Sequence, residues 1–113
     1  VADNDEPDDL DGPVADPGHH RVVFENEHVR VIETLIRPGD ATEVHTHLRR
    51  HLTVVRSGTH FVRRDTSGTV LVDTRDDPDF EMPGQIWSDG IPAHTLENAG
   101  GDDIALTSIE LKP

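Results

Sequence analysis

From His20 to Leu111, every run of apolar and β-branched residues is short and ends at a turn signal. No stretch repeats its apolar residues at a helical period. Runs at 21–25, 29–37, 44–47, 51–56, 59–65, 69–74, 85–88, 94–98 and 104–111 read as strands. They are punctuated by Asn26-Glu27, Pro38-Gly39, Ser57-Gly58, Thr66-Ser67-Gly68, Pro83-Gly84 and Gly100-Gly101. Ser57-Gly58 and Thr66-Ser67-Gly68 are expected to close hairpins around residues 59–65. Many short strands at even spacing restrict the chain to an all-β antiparallel sandwich or barrel. At 113 residues there is room for one such core.

Within this pattern, residues 39–58 carry three histidines in seven positions, His45, His47 and His51. Residues two apart on a strand share a face, about 6.6 Å apart at ~3.3 Å per residue. His45 and His47 therefore aim at a common point, where one metal ion with bonds of about 2.0–2.1 Å fits between the imidazoles. His51 opens the next strand and shares a face with Thr53 and Val55, after the turn Leu48-Arg49-Arg50. There are no cysteines, so disulfides, thiolate ligands and cysteine nucleophiles are excluded. No serine has a triad context, and no phosphate loop or dinucleotide fingerprint is present.

The frame Gly39-x5-His45-x-His47-x3-His51-x6-Gly58 resembles the first motif of the cupin family, with His51 where that family usually has Glu. Gly84 through His94-x3-Asn98 resembles the second motif. There Asp89-Gly90-Ile91-Pro92 replaces the family's Pro-x-Gly, in a loop one residue shorter. The resemblance covers roughly residues 21–112. It implies a double-stranded β-helix (jelly-roll) cupin barrel, often dimeric, so a homodimer is expected. It also implies one divalent transition metal ion in the barrel mouth (Zn, Fe, Ni, Mn, Co or Cu), with His45, His47, His51 and His94 as ligands.

Exchanging the carboxylate for His51 leaves the ion's double positive charge undiminished, which favours anionic, chelating ligands. A zinc bound by all four would be closed, whereas an octahedral ion keeps two open positions. The function expected is a metalloenzyme on a small polar or anionic molecule. Non-haem-type oxygenation of a chelating substrate is favoured. Zinc or manganese Lewis-acid isomerisation or elimination, and a non-catalytic ligand-binding or biosynthetic partner module, are the alternatives. Glu43, two residues before His45, is a candidate general base if the strand extends that far. Arg49 and Arg50 are candidate anion guides. Trp87 is expected to anchor packing or line the pocket mouth, with Phe24, Phe61, Phe80 and Met82 in core or cavity wall. Glu97 is expected to face away from His94. His19, His20, His28 and His60 have no supporting spacing, and His19-His20 reads as an exposed pair. Because ligating imidazoles must be neutral, metal affinity is expected to fall steeply below about pH 6.5.

The formal charge is −13. It argues against nucleic acid and against an anionic membrane surface, both of which need a basic face. Seven acidic residues and three prolines, with no basic residue, fall in residues 1–18. This segment is expected to be a flexible, solvated tail ahead of a barrel at 19–113; the alternative is an arm that docks through Leu10 and Val14. No run approaches the ~18 apolar residues of a membrane span, and no signal peptide is recognisable. A cytoplasmic location is therefore expected. The chain starts at Val1 rather than Met, which leaves open whether a segment precedes it.

Overall fold

The structure is a computed structural model and describes residues 8–113. Nine strands follow a four-residue helix, α1 (Gly12–Ala15): β1 (His20–Glu25), β2 (Val29–Ile36), β3 (His45–His47), β4 (His51–Ser57), β5 (Phe61–Arg64), β6 (Val70–Asp73), β7 (Gln85–Ser88), β8 (Ile91–Asn98) and β9 (Ile104–Leu111). A single 3-10 turn, Thr74–Asp76, follows β6. The strands form a five-stranded sheet ordered β1-β2-β9-β4-β7 and a four-stranded sheet ordered β3-β8-β5-β6. Every named strand pairing is antiparallel. This is the all-β antiparallel class expected from the short strands, in the jelly-roll form that the motif resemblance implies.

The framework is the unbroken β2–β9 ladder, from Val29 opposite Leu111 to Ile36 opposite Ile104. Side chains alternate along it. Arg30, Ile32, Thr34 and Ile36 are buried, and so are Ile104, Ser108 and Glu110. Among the described residues, only Ile32, Ile36, Val62 and Ile104 form the fully buried apolar core. Each contributes about 1.5–3 kcal/mol of burial. So small a core leaves polar side chains to fill the rest of the interior.

They do so through a buried ionic network. Arg30 donates two hydrogen bonds to the Asp11 carboxylate, at 2.9 and 2.8 Å, and a third from Nε to Glu110 Oε1 at 2.7 Å. Arg49 Nη1 lies 3.6 Å from the same Glu110 oxygen. Burial opposes the charge on Arg30, and the bonds to Asp11 and Glu110 more than offset it, so its pKa stands above the ordinary arginine value. Residues 8–18 thus lie on the barrel, in place of a solvated tail; residues 1–7 of that expectation fall outside the described residues. The arm docks through Asp11 and Asp16, both buried, while Leu10 and Val14 stay exposed. Its backbone runs beside β3, with Thr46 N–H donating to Leu10 O at 2.7 Å.

Of the two hairpin expectations, one holds and one changes. Thr66-Ser67-Gly68 does close the β5–β6 hairpin, with Asp65 Oδ1 accepting from the N–H groups of Ser67 and Thr69. Ser57-Gly58 is instead a corner at which the chain leaves one sheet for the other. Gly58 takes φ +133° there, and a Cβ would sit 3.2 Å from Ile104 Cγ1. Strand β8 begins earlier than expected and includes Pro92, which lies beyond the end of its pairing with β5. A residue without an N–H is tolerated at such a place.

Candidate metal centre

The two sheets bring five histidines together. His45 and His47 come from β3 and His94 from β8, directly opposite His45. His51 opens β4, and His20 opens β1 opposite Thr34 on the other sheet. Ring centroids of His45 lie 4.5 Å from His20, 4.8 Å from His47 and 4.4 Å from His94. His51 stands further out, 5.8 Å from His47. All five rings line one cavity of about 90 Å³.

Local backbone fixes how these rings are presented. Nδ1 of His45 meets Glu43 O, that of His51 meets Arg49 O and that of His94 meets Pro92 O, each at 2.7 Å. His20 Nδ1 meets Asp16 O at 3.1 Å, with the Asp16 carboxylate 3.3 Å away. A carbonyl oxygen only accepts, so each Nδ1 carries the proton and each Nε2 keeps its lone pair. This is the carbonyl- or carboxylate-oriented state in which histidines bind metals.

The donor set fits a transition metal. One ligating atom from each of His20, His45 and His47 lies within 4.8 Å of the others. Two nitrogens on one ion with bonds of about 2.1 Å are at most ~4.2 Å apart. Small ring movements therefore bring the three onto a single ion, with His94 beside His45.

Electrostatics favours the same state. Burial lowers the pKa of His45 and of His94 to about 4. Burial, followed by the neighbouring histidines, takes His47 well below its ordinary value. His20 is lowered too, burial outweighing Asp16. Protons compete with a metal only below these values, so the loss of affinity expected near pH 6.5 moves to lower pH.

Several expected residues are placed elsewhere. His20 is buried rather than exposed, and its neighbour His19 is tied down as well. Burial works against the charge of His19, yet hydrogen bonds to Asp40 and Asp16 raise its pKa. Strand β3 starts only at His45, so Glu43 lies outside it with its side chain exposed, and its carbonyl rather than its carboxylate serves the site. Arg49 is buried against Glu110 and Arg50 is exposed; neither lines the cavity. Trp87 is half exposed, its Nε1 donating to Asp89 Oδ1 at 3.1 Å, and Phe24 is equally exposed. Phe61 and Met82 line the cavity as expected, and Phe80 packs on Phe61 and His60. Glu97 faces away from the site, pairing with Arg64 at 2.7 Å.

Two lining residues were missed. His20 has no spacing signal, because only β1 closing onto β2 brings it in. Arg63 was legible in principle: with Phe61 it shares one face of a strand of period two, so a cavity-lining Phe61 implies a cavity-lining Arg63.

A closed pair of antiparallel sheets with imidazoles converging between them defines a jelly-roll barrel suited to metal binding. Comparison with solved structures shows the same fold. A cupin-domain protein from Bordetella pertussis Tohama I superposes with a TM-score of 0.62 at 20% identity, over 83% of this chain and 92% of that one. An RmlC-like cupin with a double-stranded β-helix fold from Methanocaldococcus jannaschii gives 0.57 at 8% identity, over 82% and 78%. A predicted oxalate decarboxylase from Thermotoga maritima gives 0.53 at 15%, over 83% and 79%. The chain has the double-stranded β-helix fold of the cupin superfamily. No protein-family model matches the sequence, and no curated protein matches it.

Proposed function

We propose that this protein is a metal-dependent enzyme of cupin type, acting on a small polar or anionic molecule bound at the histidine centre. The observation that carries the reading is the set of four Nδ1–carbonyl contacts, which leaves four Nε2 lone pairs free in one cavity. His45 and His47 form the core of the ligand set, with His94 and His20 completing it and His51 next in reach. When bound, a divalent ion would supply Lewis acidity and open positions for a chelating substrate.

Oxygenation of that substrate is the favoured reaction. Lewis-acid isomerisation or elimination is the second reading, supported by an all-nitrogen donor set that leaves the ion's charge undiminished. Element analysis of protein purified without added metal, followed by O2 uptake with small chelating acids, separates them. Iron with substrate-dependent O2 uptake is expected for the first, and stoichiometric zinc without O2 uptake for the second. Protein that takes up no transition metal would overturn both.

A homodimer is proposed with this reading. Strand β1 is an edge of the five-stranded sheet and exposes Val22, Val23 and Phe24. An edge strand with apolar side chains is a template for pairing with its own copy.

A further inference from the structure

Arg63 is the one cavity-lining residue whose charge the described structure leaves unanswered. It lies on β5 opposite Leu96, two residues along β8 from His94, and lines the cavity with both. Its Nε is fully buried and has no hydrogen-bond partner among the described residues. The ring of Phe61 lies 5.8 Å from the guanidinium. Its neighbour Arg64, on the other face of the strand, is paired with Glu97 at 2.7 Å. Among the described residues, carboxylates answer the charges of Arg30 and Arg64 but not that of Arg63. Burial accordingly pulls the pKa of Arg63 down, with no acid to oppose it.

Arg63 is half-buried as a whole, but its Nε meets neither solvent nor a partner, and a bound anion would supply the missing acceptor. The guanidinium fork matches a carboxylate bidentately. The cavity limits the size of that anion. At about 90 Å³ it is smaller than the ~150 Å³ cavity that accepts benzene, so a molecule of about four heavy atoms fits. The rest of the lining is mixed: Ile36, Phe61, Met82 and Leu106 are apolar, whereas Thr53 and Ser108 are polar.

We propose that Arg63 is the carboxylate-binding residue of the pocket, and that the substrate is a short-chain carboxylic acid held between Arg63 and the histidine centre. The substrate role rests on the metal-centre reading above; the anion site itself does not.

The test uses acetate and its uncharged isostere acetamide as probes, titrated into the full chain by NMR. It is run first on chelator-treated protein and then after zinc loading. Acetate is expected to bind and acetamide not. Arg63→Met is expected to weaken acetate at least tenfold, and Arg63→Lys less. Zinc affinity of Arg63→Met is expected to be undiminished. Its Tm should rise, because a buried Nε without a partner has been replaced by an apolar chain of similar length. Acetate binding that survives Arg63→Met, acetamide binding as tightly as acetate, or no acetate binding in either form would overturn the proposal. A fall in Tm with acetate affinity unchanged would make Arg63 structural and overturn it too. Failure of zinc to bind with Arg63-dependent acetate binding retained would sink the metal centre while leaving the anion site standing.

Discussion

At the scale of single residues, the histidine centre depends on which nitrogen each ring presents. For four of the five rings, those of His20, His45, His51 and His94, the backbone decides this through the carbonyls of Asp16, Glu43, Arg49 and Pro92. His20 and His51 compete for a place beside His45 and His47. Isothermal titration of chelator-treated protein with zinc is expected to show His20→Ala weakening affinity at least tenfold, and more than His51→Ala. The reverse order would return the fourth place to His51. The lowered pKa values set a second expectation, for the metal-free protein. The unfolded chain protonates His45 and His94 near pH 6.5, whereas the folded one does so only near pH 4. Stability is therefore complete above pH 6.5 and lost as pH falls from 6.5 toward 4. For His45 alone the loss amounts to up to about 3 kcal/mol, at roughly 1.4 kcal/mol per unit. Urea unfolding at pH 7, 5.5 and 4.5 reads this directly. Bound metal is expected to remain at pH 5.5; complete release there would contradict the burial argument.

At the scale of elements, the short arm before β1 and the ladder β2–β9 act together. Asp11 anchors the arm to Arg30, and Arg30 reaches Glu110 on β9. Gly12 then passes so close to the histidines that a Cβ would sit 2.9 Å from His47 Cε1 and 3.2 Å from His20 Cδ2. The arm therefore covers one side of the centre. Asp11→Ala is expected to destabilise the fold by about 3–5 kcal/mol, since it leaves the Arg30 charge buried with one partner fewer. Chemical denaturation measures this, and a loss below ~1 kcal/mol would show that the pair is dispensable. The strands themselves were legible in the sequence to within a few residues, because alternation and turn residues act locally. The arm was not. Its acidic composition reads as solvated, and only the distant Arg30 gives Asp11 a reason to be buried.

At the scale of the whole molecule, no helix among the described residues is long and apolar enough to cross a membrane. The strong negative charge keeps copies soluble and opposes close self-association. A dimer through β1 must therefore rest on apolar contact. Light scattering is expected to give about twice the 12.5 kDa chain mass, and Phe24→Asp is expected to return the monomer. A monomeric native protein would remove the β1 interface.

The sequence by itself determined the strand pattern and the all-β class, and pointed to His45 and His47 as a pair on one face, because period-two alternation and glycine-framed spacing are properties of neighbouring residues. It also placed His94 in the site, through a resemblance of motif. Only the tertiary structure decided that His20 joins the centre, that Glu43, Arg49 and Trp87 do not line the cavity, and that Arg63 does. These facts turn on which strand lies beside which across two sheets. Burial and unmet charge become defined only after the chain has closed on itself.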